Sequence, residues 1–415
     1  KLEEIQYLPE ESYQRAAEAT VDNPSPTWLG LGRDIRIFSA GFRNTDPDDS
    51  DERTWDWIRP RFHGHGVAPP EMDQAIPSPY GEGEDNGSEE EEDLFYRYML
   101  GRGHGSVRNI SRWLENNTLP ILHAEITDED VTYETTSFVS LETSPLTADN
   151  VDGTHYLVAD SYGRGFMQTD SQLESRDEML PAELNPEEET VLYFQAKAVN
   201  TDSVPRYAYF KNVAPNTDYT FDGEHGMTRA ESSDEIFSIS RLNGDPLSQE
   251  EVAVLLDPGE QVVFEFYIPH QPISRERAAT LGREDFSSRL RECREFWEQK
   301  LSEAASIELP ETRIDEMTKA GLLHLDLVTF GSEPDGTVTP TIGVYSAIGS
   351  ESAPIIQFYD SMGRHDLARR SLMYFLEKQH DDGFIQNFGG YMLETGAVLW
   401  SLGEHYRYTQ DQDWV

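Results

Sequence analysis

Apolar residues alternate with polar ones, or cluster in short runs, through the first two thirds of the chain. Examples are "VTYETTSFVSLE" from Val131, "ETVLYFQAKAVN" from Glu189 and "EQVVFEFYIP" from Glu260. A period of two bounded by turn residues, such as "DPGE" at Asp257 to Glu260, predicts strands joined by tight turns. Many such strands with little helix between them predict a large antiparallel β-sandwich over residues 1–270. The pattern then changes period. Phe286, Leu290, Cys293, Trp297 and Leu301 fall on one face of a helix over 283–304, bounded by prolines on either side. This segment predicts a linker helix within residues 271–309. Cys293 on its apolar face reads as a buried filler rather than a nucleophile.

Residues 310–415 carry helical periodicity. "TRID" at Thr312 to Asp315 reads as a capping-box start, with Gly331 as the stop. Ser352 is expected to cap a second helix, with Pro354 in its first turn and Gly363 beyond its end. A third helix is expected from Asp366 to Lys378 and a fourth from Leu393 to Tyr408. Two connections, "GSEPDGTVTPTIGVYSAIGSES" and "HDDGFIQNFGGYM", are long and mix aromatic with polar residues, whereas "GRHD" is short. Long loops at one end of a helix array are where binding residues concentrate.

Charge sharpens this picture. Of 415 residues, 78 are Asp or Glu against 33 Lys or Arg, a formal net charge of −45, and only six of the bases are lysine. At low ionic strength such a surface repels itself, whereas at molar salt the Debye length falls to about 3 Å. The composition therefore points to a salt-rich setting. With no basic stripe to meet phosphates, a nucleic-acid partner is not expected, and no apolar run has the length of a membrane span. No signal-like apolar segment follows Lys1. The location is left open between the cytoplasm of a salt-accumulating organism and the cell exterior.

The helical part carries a resemblance. "FWEQKL", "IELPETRIDEMTKAGLLHL" and above all "QHDDGF" followed by "ETGAVLWSLGEHYRYTQD" resemble the six-hairpin glycosidase superfamily. Its glucoamylase-like and rhamnosidase-like members join a supersandwich, a linker helix and an (α/α)6 toroid. The resemblance covers residues from about 310 onward and extends to the β-rich part by architecture only. It implies a multidomain β + α protein acting on or binding an oligo- or polysaccharide. It also implies that the ring is incomplete here, with the general acid and base lying beyond Val415 or the ring completed by a missing segment or a second chain. Where glucoamylase-like relatives carry Arg-Asp, this chain has Ser350-Glu351.

Glycoside hydrolysis needs two carboxyl groups flanking the scissile bond. Type alone cannot choose among 78 acids. Position points to Glu351 and Glu394, in or beside the two long loops, as candidate catalytic or sugar-binding carboxylates. Their bland alternative is stabilisation of helix N-termini. Tyr345, Phe384 and Tyr391 are candidate sugar platforms, together with Phe388, and Gln386 and Asn387 candidate readers of hydroxyls. Asp360 reads as structural and Trp400 as hairpin core. No cofactor is implied. "DPDDSDE" at Asp46 to Glu52 could attract calcium loosely, and His63, His65 and His104 form a weak zinc pattern. The second functional reading is a noncatalytic carbohydrate-binding or surface-assembly protein on the same scaffold.

Overall fold

In a computed structural model of the chain, the structure describes residues 26–42, 55–61, 94–103, 110–162, 168–343, 347–387 and 393–414, and every statement below concerns these residues. Antiparallel sheets fill the N-terminal part. A six-stranded sheet has the order β1 (Thr27–Leu29), β2 (Phe38–Gly41), β3 (Asp56–Pro60), β4 (Tyr96–Leu100), β9 (Arg206–Pro215), β14 (Glu251–Leu256). A nine-stranded sheet runs β10 (Tyr219–Asp222), β11 (Met227–Ala230), β12 (Ile236–Leu242), β15 (Gln261–Pro269), β8 (Thr190–Asn200), β7 (Val131–Leu141), β6 (Leu119–Asp128), β5 (Ile110–Glu115). Its ninth strand, β13 (Asp245–Pro246), pairs with β12.

The two sheets face each other through aromatic rings. Tyr98 of β4 meets Phe194 of β8 and Phe266 of β15 at centroid distances of 4.9 and 5.0 Å, and Phe210 of β9 meets Phe264 at 5.1 Å. Edge-to-face and offset pairs of this kind add about 0.5–1.5 kcal/mol beyond the area they bury. The three strands read from alternation are β7, β8 and β15, and the expected turn closes with the amide of Glu260 donating to the carbonyl of Asp257 at 2.9 Å. The first five residues of β8 are all buried, whereas its C-terminal half alternates. The opposing sheet covers one face of β8 through Phe194, which meets Tyr98 of β4.

That linker helix is α4 (Phe286–Ser302), preceded by α3 (Arg275–Leu281). Phe286 packs edge-on against Phe138 of β7 at 5.1 Å, and Cys293 and Trp297 are fully buried on the same face. Each large apolar side chain buried here contributes about 1.5–3 kcal/mol relative to exposure. Two helices interrupt the β region: α1 (Tyr156–Tyr162) and α2 (Asp170–Leu184). Thr169 opens α2 with a complete capping box to Gln172.

Four further helices follow: α5 (Thr312–Leu327), α6 (Gly349–Ser361), α7 (His365–Glu377) and α8 (Glu394–Thr409). Helices α6, α7 and α8 pack on one another around a second core that includes Leu322 of α5, Ile355, Ile356, Tyr359, Leu372, Phe375 and Val398, and α5 packs against the linker helix α4. No toroidal repeat or closed ring is formed among the described residues. Three local expectations are corrected. Thr312 does not cap α5; Glu311 stands at that position, and Asp315 instead accepts from the Leu309 amide at 3.2 Å and pairs with Lys319 at 2.6 Å. Gly331 does not end α5, which stops at Leu327; it belongs to a small hairpin of β16 (Thr329–Gly331) and β17 (Val338–Pro340). Ser352 does not cap α6 because that helix begins three residues earlier, and its hydroxyl donates to the Pro340 carbonyl at 2.6 Å. Gly363 does lie past the end of α6, at φ +76°, where a side chain would be strained.

Candidate functional site

The two long connections meet at the N-termini of α6 and α8, and Glu394 is what joins them. Its carboxylate is fully buried. It accepts from the Asn387 amide at 3.1 and 3.0 Å through its two oxygens, and from the Gly349 amide at 3.3 Å. One side chain thus satisfies the buried Gly349 amide at the start of α6 and pins the α7–α8 loop. The approach is close enough to require glycine: a Cβ on Gly349 would lie 2.9 Å from the Glu394 Cα.

Asn387 passes the constraint inward. Its side-chain amide donates to the Ala347 carbonyl at 2.7 Å, and its oxygen accepts from Lys378 Nζ at 3.1 Å. Lys378, fully buried on the turn after α7, also donates to Asp160 of α1. Asp160 further accepts from the Tyr374 hydroxyl at 2.5 Å and from Gln168 at 3.1 Å. Burial would push the Asp160 carboxyl up, but the Lys378 ammonium and these donors outweigh it and hold the group below its usual range. Burial and the Asp160 charge push the Tyr374 hydroxyl well above its ordinary value, so it remains a donor. The long-loop end therefore rests on a buried, hydrogen-bonded network anchored in α1, an element absent from the sequence-based reading.

The sequence candidates separate on this frame. Asn387 and Glu394 are buried members of the network, whereas Glu351, Phe384 and Gln386 are half-buried around it. Phe384 stands edge-on to His380 at 5.9 Å. Tyr345, Phe388 and Tyr391 lie outside the described residues, as do His63, His65, His104 and the Asp46–Glu52 run. Asp360 is buried, with Nδ1 of both His405 and His365 at 2.9 Å from its Oδ1. Trp400, expected in the hairpin core, stands 45% exposed, because the buried stripe of α8 runs through Glu394, Val398, Ser401 and His405. Burial pushes the Cys293 thiol up, which keeps it protonated.

At the opposite end of the hairpins a second cluster surrounds Asp326 of α5. Its Oδ1 accepts from Arg33 at 2.5 Å and Arg364 at 2.7 Å, and its Oδ2 from Lys300 at 2.8 Å. Arg33 also pairs with Glu333 at 2.7 Å, which pairs with Arg370 at 2.9 Å. Burial would raise the Asp326 carboxyl, yet the three cations hold it well below the usual carboxylate range. Arg33 reaches Asp326 from a left-handed backbone at φ +63°, a conformation that costs about 1–3 kcal/mol for a non-glycine residue. Among the described residues, no group of three or more His, Cys, Asp or Glu side chains is placed to hold a metal ion, and no helix is long and apolar enough to cross a membrane.

A scan against known protein families and a search of curated proteins both return no match for this chain.

Proposed function

We propose that this protein acts on or binds an oligo- or polysaccharide at the long-loop end of its hairpins, on a scaffold of the six-hairpin glycosidase kind. The order of parts supports the reading: an antiparallel sandwich, a linker helix, then a group of helices in which the connections leading into α6 and α8 meet. The observation that carries it is the fixed platform at that end. Glu394 and Asn387 lock the α7–α8 loop against α6, and the half-buried Glu351, Gln386 and Phe384 stand around that lock. A carboxylate, an amide and an aromatic ring are the side chains that grip sugar hydroxyls and C–H faces. Positioning by rigid elements gives such groups their selectivity.

Within this reading Glu351 is the sugar-contacting carboxylate and Glu394 a positioning residue. Both Glu394 oxygens already accept from backbone amides, and that favours a second reading in which this end binds sugar without supplying an acid/base pair of its own. The net charge of −45 supports function at high salt in either case.

The test is titration of the purified protein with α- and β-linked oligosaccharides in molar salt, alongside release of reducing ends. Saturable binding weakened about tenfold or more by Glu351→Gln is expected, since a charge-assisted hydrogen bond is worth about 1.5–3 kcal/mol. Hydrolysis removed by the same change would favour the enzymatic form, and binding without hydrolysis the other. No saturable binding, or binding indifferent to both Glu351→Gln and Gln386→Ala, would sink the carbohydrate reading.

A further inference from the structure

A cavity of about 530 Å³ lies beside the Asp326 cluster, where the sandwich, α4 and the short α6–α7 turn converge. This size is in the range that holds a small ligand. Its inner wall gathers Arg33, Lys300, Arg364 and Arg370 around the carboxylates of Asp326 and Glu333, with Asp366 of the rim 3.9 Å from Arg370. The Arg364 side chain is 9% exposed and spends its terminal nitrogens on Asp326 and the Lys300 carbonyl. Its Nε is buried without a hydrogen-bond partner. An unsatisfied charged donor in a buried wall is costly, and a bound acceptor would remove that cost. Lys300 adds an ammonium that donates to Asp326 and lies 5.0 Å from the Phe296 ring centre. Burial lowers its pKa, Asp326 opposes this, and the neighbouring Arg33 and Arg364 charges lower it further, as an uncompensated cation cluster would.

The rim has the opposite character. Asp149, Asp152, Glu303 and Asp366 are exposed and line the cavity with Gln299 and Ala148. Carboxylates accept hydroxyl hydrogen bonds and repel multiply charged anions.

We propose that this cavity binds a small, singly charged hydroxylated oxyanion of the sugar-acid class, its head group on Arg364 Nε and Lys300 Nζ and its hydroxyls on the acidic rim. The site is independent of the carbohydrate reading of the long-loop end. The thirteen residues of α6 separate the two ends by about 20 Å at 1.5 Å per residue.

Calorimetric titration of the full chain at fixed sodium chloride tests it, with glucuronate, glucose 6-phosphate and glucose as probes. Saturable binding of glucuronate is expected, with none of glucose. Arg364→Lys keeps a cation for Asp326 but removes Nε, and should weaken binding roughly tenfold or more. Because that residue is buried and its replacement could unfold the chain, Ala148→Trp on the exposed rim is the second variant; it should block the cavity, abolish binding and leave unfolding by urea unchanged. Tighter binding of glucose 6-phosphate than of glucuronate would overturn the assignment to a singly charged head group. Absence of saturable binding by either anion, or binding that survives Ala148→Trp, would overturn the proposal.

Discussion

Each end of the helical hairpins is built on one buried aspartate, and the two differ in how the charge is answered. Among the described residues, Asp160 at the long-loop end pairs with one ammonium, Lys378, and accepts from Tyr374 and Gln168. Asp326 at the short-turn end faces three cations at once. A buried ion pair held in a hydrogen-bonded network fixes geometry, which suits a platform. A surplus of buried cations is tolerated only beside a cavity, where solvent or a ligand can answer it. The same chain thus carries one site made by rigidity and another made by unfinished electrostatics.

The sharpest way to break this comparison is to neutralise both aspartates. Asp326→Asn leaves Arg33, Lys300 and Arg364 without their shared counter-charge, and should destabilise the protein by about 3–5 kcal/mol or prevent folding. Adding Lys300→Met should not restore it, because two guanidinium groups remain. Asp160→Asn should cost somewhat less, about 3 kcal/mol, and Asp160→Asn with Lys378→Met should recover part of that loss, since no buried charge is left, the remainder being the Asn387 Oδ1 that loses its donor, about 1 kcal/mol or more. Urea unfolding at constant salt measures all four. Recovery of Asp326→Asn by Lys300→Met would make the two clusters alike and remove the distinction.

What the sequence disclosed follows from how local each signal is. The apolar stripe of Phe286, Cys293 and Trp297 announced α4, and alternation announced β7, β8 and β15, because burial on a face writes a period into neighbouring residues. Helix α2 escaped for the opposite reason: "DSQLESRDEMLPAEL" has no apolar stripe to read, although Thr169 and Gln172 spelled its capping box. Ser352 misled because its hydroxyl serves the end of β17 rather than a helix end. Glu394 could be placed beside a loop by position alone, but that its two oxygens hold Asn387 and Gly349 required the packing of α6 against α8. The Asp326 cluster was invisible, since Arg33 and Asp326 are separated by 293 positions and nothing near either marks the other.

The gentlest probe of the contrast is acid. Both aspartates are held below their ordinary value of 3.8, so each contributes stability that is complete above about pH 4 and is lost as pH falls through its lower folded-state value, where the native state must take up a proton that the unfolded chain already carries. Removing Asp160 together with Lys378 deletes one of these groups without leaving a buried charge. Between about pH 4 and pH 2 the stability of the parent should therefore fall more steeply than that of Asp160→Asn/Lys378→Met, by at most about 1.4 kcal/mol per pH unit, the slope of one proton. Protonation of the many surface carboxylates is shared by both proteins and cancels in the difference. Parallel curves would mean that Lys378 does not hold Asp160 ionised, and the platform would then owe its rigidity to Glu394 and its backbone donors alone.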